Sequence, residues 1–306
     1  MNELEIIQHR QMDGLSIFFN TLDYRTPHVH PEWELIWVLE QVLTVTCGTE
    51  RFQVAPGQMI LINPNEPHEF HKAGESTTFL CLQISPDILP EMPPVHIDGK
   101  LLNSYLTEPE MAEIRRTLGE MMEAYLRQED HFALQCVGGG CLLLYRLLRK
   151  LPSHLRTKEE TDSIGKRNDR LLRLIRFVDD NYMHKIRLGD FAQQEGCSMT
   201  HLSHFIRSAM NQSFQEYVDS VRFHRACQLI ADGEMKRLDV CIESGFSDYR
   251  YFSRAFQRHF GMTPEEYRHS VERPRVENKV VHRSIHSMEQ FYSAEDSLRL
   301  LQKYCK

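Results

Sequence analysis

Two sets of residues in this 306-residue chain have types and spacings that could do chemistry. The first is His28-Val29-His30, with Glu34 four residues on and His68 after a proline turn. Imidazole nitrogens and a carboxylate oxygen are borderline donors that suit iron, manganese or zinc. On an extended strand His28, His30 and Glu34 share parity, so they point to one interior. Tyr24, Trp33, Trp37 and Phe70 offer aromatic surface of the type that stacks on sugar rings, or that fills a core.

The second set lies on two helical stretches nearer the C-terminus. Met199, Thr200, Ser203, His204 and Arg207 fall opposite Leu202, Phe205 and Ile206. In the same way Tyr249, Arg250, Ser253, Arg254 and Gln257 fall opposite Phe252, Ala255 and Phe256, with Arg258 at the far end. Arginine matches guanine O6 and N7 with two hydrogen bonds, hydroxyls and imidazole serve bases or phosphates, and Arg258 is placed for a phosphate. A solvated face is the ordinary fate of any one such residue.

Duplication argues for more than that. Ala192 and Gly196 return as Cys241 and Gly245 at an offset of 49. Leu202, Ile206, Ser213, Glu216 and Tyr217 return as Phe252, Phe256, Thr263, Glu266 and Tyr267 at an offset of 50. Each copy reads as a helix, a glycine turn, and a second helix starting at a serine, Ser198 or Ser247. Capping boxes close each copy, Ser213-x-x-Glu216 and Thr263-Pro264-x-Glu266. Two such units are the pattern of a DNA-binding helix-turn-helix used twice. Between them Tyr217–Ala231 reads as a rigid helix, able to set two reading helices in successive major-groove segments roughly 34 Å apart.

The elements that must position both sets follow from periodicity. Short β-branched and aromatic runs from Ile6 to about Ile84, punctuated by Gly48-Thr49, Pro56-Gly57 and Asn63-Pro64-Asn65, predict a β-barrel or sandwich. Glu110–Arg127 and Phe132–Leu151 then read as helices. The second is apolar around its circumference, which fits burial within one domain or against a second subunit. Gly138-Gly139-Gly140 inside it permits either a close approach of backbones or a break. The polar stretch up to Asn168 reads as a linker, and Met288 to Tyr304 as one more amphipathic helix docked on the C-terminal domain. The domain reading is therefore 1–152, a linker at 153–168, a helical domain at 169–273 and a tail at 274–306.

Charge follows the same division. The net −7 is the sum of −11 over residues 1–165, +3 over 166–275 and +1 over the tail. Concentrating arginine in one segment and acid in another suits two domains with different partners. Eight cysteines without a Cys-x-x-Cys pair read as buried hydrophobes in a reducing cytoplasm. The acidic start Met1-Asn2-Glu3-Leu4-Glu5 is unlike a secretory signal, and no obvious apolar run reaches membrane-spanning length, so no membrane partner is expected.

Several spaced motifs carry a resemblance. Glu195-Gly196-Cys197-Ser198, Arg222-x-x-x-Ala226, Gly245-Phe246-Ser247-Asp248-x-x-Tyr251-Phe252, Arg254-x-Phe256 and Gly261-Met262-Thr263-Pro264-x-x-Tyr267-Arg268 resemble the AraC/XylS family of transcriptional regulators over about 100 residues. Asn211 and Cys241 stand where glycine and alanine are commoner. The histidine set resembles the cupin motif, although Leu39-Glu40-Gln41-Val42 lacks the glycine usual after it. These resemblances imply an α+β chain: an N-terminal cupin-like β-barrel with two dimerisation helices, then an all-α domain with two helix-turn-helix motifs. They imply a homodimeric activator, not an enzyme, that binds promoter DNA, contacts RNA polymerase and needs no cofactor. Its small-molecule effector, a carbohydrate in this reading, would sit against His28, His30, Glu34, His68 and Trp37. The expectation is a site without metal, the same His28, His30, Glu34 and His68 being the ligands if one is present. A metal-dependent cupin enzyme fused to a DNA-binding module is the alternative, and histidines with no ligand at all are the third.

Overall fold

The computed structural model describes residues 12, 14–232, 235–271, 279–283 and 287–305. The first few residues of the strand-like region, from Ile6, lie outside these. Seven strands form an antiparallel, nearly closed barrel: β1 (Leu15–His28), β2 (Trp33–Glu40), β3 (Leu43–Cys47), β4 (Glu50–Val54), β5 (Met59–Ile62), β6 (His68–Lys72) and β7 (Thr77–Ile84). Their order is β4-β3-β6-β1-β7-β2-β5. The turn between β2 and β3 puts Gln41 at φ 61°, the left-handed geometry for which glycine is usual.

Side-chain alternation gives the sheet two apolar faces. Leu22, Ile36, Val38, Val45, Ile60, Phe70 and Phe79 fill the barrel interior. Ile17, Phe19, Trp33, Leu35, Trp37 and Leu82 face the other way and form a second core with two helices, α1 (Glu108–Arg127) and α2 (Phe132–Lys150). This corrects the placement of Trp37 and of Trp33. Period-two parity along β2 sends Glu34 inward and both indoles outward, where each is only 3% exposed. Neither ring can reach a ligand in the barrel.

Helix α2 runs unbroken through its three glycines. A Cβ at Gly139 would lie 2.7 Å from Met121 Cγ, and one at Gly140 would lie 3.0 Å from Leu15 Cδ1, so two of them serve close packing. By length and composition α2 is apolar enough to cross a membrane, contrary to the expectation that no apolar run reaches that length. In this fold Cys136, Leu143, Leu144 and Leu147 on its inner face are core.

The expected linker is mostly structured. Ser153–Leu155 forms β9 against β8 (Val95–Ile97), and Lys158–Asn181 is a 24-residue helix, α3, opened by a Thr157–Glu160 capping box. Its charged first turns carry no apolar stripe, so periodicity could not reveal it. The second half supplies Leu171, Leu174 and Val178 to the first core of the C-terminal domain. That domain continues with α4 (Leu188–Glu195), α5 (Met199–Met210), α6 (Phe214–Asp232), α7 (Arg237–Glu243), α8 (Tyr249–Phe260) and α9 (Pro264–Val271).

The tail differs most from expectation. Ser287–Tyr292 and Lys279–Arg283 are strands, β11 and β10, and only Ala294–Tyr304 is a helix, α10. Strand β11 pairs with β1 of the barrel, from Asn20↔Phe291 to Arg25↔Ser287. Helix α10 lies on α1, with Leu301 in the shared core and Cys305 against Gly119. The described part of the tail thus docks mainly on the N-terminal domain where the C-terminal one was expected, with Tyr267 Oη of α9 donating to Met288 Sδ at 3.9 Å. Residues 274–278, 284–286 and 306 of that tail lie outside the described set.

Candidate functional site

The barrel brings the first residue set together, though not by parity. Strand β1 ends at His28, the chain reverses through residues 29–32, and Glu34 enters on β2. His28 is paired with His68 across β1 and β6. One ligand atom from each of His28, His30, Glu34 and His68 lies within 4.8 Å of the others. Glu34 Oε2 is 3.0 Å from His68 Nε2 and 3.4 Å from His30 Nε2. The other oxygen, Oε1, accepts from Gln83 Nε2 at 3.0 Å and from Cys81 Sγ at 3.1 Å. Phe70 closes the floor, edge-on to His28 with ring centroids 5.5 Å apart.

Burial and neighbours set the charges. Burial, then the adjacent His68, push the His28 imidazole well below its ordinary range. Burial would hold Glu34 protonated, but hydrogen bonds from His30 and His68 win and keep it well below the usual carboxylate range. His30 also resists burial: Glu32 and Glu34 raise it to about 9. Cys81, Gln83 and Glu32 had no signal in the sequence, because they reach the site only through strand register and the turn.

The second residue set sits on α5 and α8. Ser198 caps α5 by accepting from His201 N at 3.2 Å. Gly196 precedes it at φ 60°, and Asn211 ends the helix at φ 52°, where its counterpart Gly261 has φ 67°. The second copy starts one residue later than expected, at Asp248, whose side chain accepts from Arg250 N at 2.7 Å. The inserted turn residue moves the cap from Ser247 to Asp248. Met199, Thr200, Ser203, His204 and Arg207 are all exposed, as are Tyr249, Arg250, Arg254 and Arg258, while Ser253 is half-buried. Opposite them Leu202, Ile206, Phe252 and Phe256 are fully buried.

Two details go beyond the sequence reading. Arg250 is folded back on Asp248, with Nη2 to Oδ2 at 2.6 Å, so it must leave that pair to touch a ligand. Tyr251 is 59% exposed, and the Arg254 guanidinium lies over its ring at 6.0 Å. Behind α5, Glu195 holds Arg173 at 2.6 Å and Arg170 at 3.1 Å, tying α3 to the first unit. Arg222 on α6 donates to the carbonyls of Tyr182 and His184, both at 2.8 Å.

Comparison with known proteins matches residues 15–144 to the AraC-like ligand binding domain and residues 191–270 to a helix-turn-helix domain. The HTH-type transcriptional regulator ExsA of Pseudomonas aeruginosa is 24% identical over 278 residues, 84% of this chain and 92% of that protein. The lactose operon transcription activator of Staphylococcus xylosus is 27% identical over 127 residues, 42% of this chain and 44% of its own length. Among solved structures, unsaturated fatty acid bound ToxT from Vibrio cholerae covers 87% of this chain and 99% of its own at 16% identity, with a TM-score of 0.42.

Proposed function

The chain belongs to the AraC/XylS family of transcriptional regulators, and from that premise we propose that it activates transcription from a promoter site read by α5 and α8. The observation that carries this reading is the repeated unit with two polar, exposed helix faces backed by separate cores. Met199, Thr200, Ser203, His204 and Arg207 read one groove segment. Tyr249, Arg250, Ser253 and Arg254 read the next, with Arg258 on a phosphate. RNA polymerase is the partner through which bound protein acts, and the cytoplasm is where it works.

A small-molecule effector seated at the mouth formed by His28, His30, Glu34 and His68 controls that binding. The carbohydrate class keeps the support of a relative's name, the lactose operon activator. It loses the aromatic support: Trp33 and Trp37 face the helices, and Phe70 is only 1% exposed. A homodimer forms through the outer face of α2, where Leu134, Leu142 and Tyr145 are exposed along one stripe.

Selection of duplexes from a random pool by the full chain tests the DNA reading. Arg254→Ala should then weaken binding to the selected site by about 1–3 kcal/mol and relax one base position. Arg258→Ala should weaken all sequences alike and lower the salt slope by about one. A full chain that enriches no sequence overturns the reading.

A further inference from the structure

Where the tail returns to the barrel it encloses a recess of about 160 Å³. Strand β11 meets β1 only from Asn20 onward, and the chain then turns at Ser293 into α10. Beside Ile17–Phe19 the tail has therefore left the flank of β1, and a gap opens between β1, α10 and α1. Phe18, Phe19, Tyr125, Phe291 and Tyr292 line it, with Phe18 and Phe291 tilted at 59° and their centroids 5.6 Å apart. None of the described lining residues carries a charge. Burial pushes the Tyr125 phenol up, so this wall disfavours an anion. One hydroxyl stands apart. A buried helical serine ordinarily donates to the carbonyl one turn back, as Ser244 does to Val240 O at 2.5 Å. Ser297 of α10 lines the recess and is only 3% exposed, yet its Oγ has no hydrogen-bond partner among the described residues. Such a group costs stability until something pairs it.

From this geometry we infer that the recess binds an uncharged, single-ring aromatic molecule carrying one hydroxyl, a simple phenol, with that hydroxyl on Ser297 Oγ. Size sets the single ring, since an apolar cavity of roughly 150 Å³ takes one benzene. The aromatic walls favour an aromatic occupant through edge-to-face and offset contacts that a saturated ring does not make. A carboxylate or an ammonium would be buried there without a charge partner. The site is separate from the barrel mouth: Ile17 and Phe19 belong to the core shared with α1 and α2, on the other face of the sheet from Phe70. The inference thus stands independently of the DNA reading and of the effector seated among the histidines. Because the walls come from β1, α1 and the tail, an occupant fastens the tail to the barrel domain.

The test uses the full chain, labelled at its methionine methyl carbons and titrated with phenol, cyclohexanol and benzoate. Phenol should saturate at one equivalent per chain and raise the thermal midpoint. It should also shift the methyl signal of Met122, a lining residue, which Met122→Leu assigns. Cyclohexanol and benzoate should bind at least about 10-fold more weakly, the first for want of ring contacts and the second for want of a charge partner. Ser297→Ala should weaken phenol about 5-fold through the lost hydrogen bond. Ala294→Phe adds a ring at an exposed lining position and should abolish binding. If that variant fails to fold, Ser297→Ala decides alone. Phenol that does not saturate, or that saturates without moving Met122, overturns the site, as does affinity unchanged in Ser297→Ala. Cyclohexanol or benzoate binding as tightly as phenol overturns the assigned class.

Discussion

At the scale of single residues, chemistry was legible where identity sufficed and illegible where direction mattered. Spacing alone picked out His28, His30, Glu34 and His68, because few other reasons place three imidazoles and a carboxylate at those intervals. It misassigned Trp37, because period two says that neighbours on a strand face opposite ways but not which face is the barrel interior. Glycines show the same limit. Gly196 and Gly245 end corresponding turns with φ of 60° and 80°, so the repeat treats them as equals. Around them the space differs: a Cβ at Gly196 meets nothing within 4 Å, whereas one at Gly245 would lie 2.6 Å from Tyr182 O and 2.9 Å from Met183 Cα. Gly196→Ala should therefore cost about 1 kcal/mol for backbone geometry alone, and Gly245→Ala about 3 kcal/mol, since backbone must also move. Urea midpoints of the two variants, measured side by side, check the order; equal losses would mean that the turn at 245 yields freely.

At the scale of elements, helices with a one-sided apolar stripe were readable and elements defined by their partner were not. Helices α1, α2, α5 and α8 all lie where three- and four-residue steps put them. The first half of α3 is polar on every side, so a linker was the natural reading, although its capping box is written plainly at Thr157 and Glu160. Met288, Phe291 and Tyr292 of strand β11 fit either period, so their spacing predicts a helix where the structure has a strand. What decides it is β1, whose free edge beyond Asn20 accepts a strand, with Glu289 buried and bonded to Asn20 Nδ2 at 2.9 Å. Helix α2 shows the opposite case, an element with more apolar surface than this chain covers. Leu134 is 75% exposed and Tyr145 57%, with Leu142 between them at 42%. If a second copy covers that stripe, Leu142→Glu with Tyr145→Glu buries two unpaired charges in the interface and should convert dimer to monomer. Sedimentation at micromolar concentration reads this directly, with the monomer's thermal midpoint as the folding control. A wild-type chain that sediments as a monomer removes the α2 interface.

At the scale of the whole molecule, the chain leaves the barrel through α3, builds the two helix-turn-helix units, and returns to the barrel through β11 and α10. The helical domain is thereby tied to the barrel at both ends, and further contacts among the described residues join them in between. Asn65 N donates to the carbonyl of His30 at 2.9 Å, and the carbonyl of Asn65 accepts from Asn168 Nδ2 on α3, also at 2.9 Å. The Tyr24 ring, on the strand that ends at His28, stacks on His224 of α6 with centroids 3.8 Å apart and planes at 13°. One contact reaches the histidine quartet from the helix entering the domain, and the other reaches it from the helix joining the two units. Coupling between sites is reciprocal, so whatever the barrel does to DNA affinity, DNA must do to barrel stability. This permits a test with DNA as the only ligand. Calorimetric scans of the full chain should show the barrel's unfolding transition shift when a selected duplex is added, beyond the shift of the helical domain that binds it. In Asn168→Ala/His224→Ala the helical domain should still gain stability from the duplex, while the barrel's transition stays within about 1 °C of its DNA-free position, a ring stack and one partly buried hydrogen bond being worth roughly 1–3 kcal/mol together. A barrel that still follows the duplex in this variant would place the coupling in the tail, where β11 and α10 hold the sensor core from the other end.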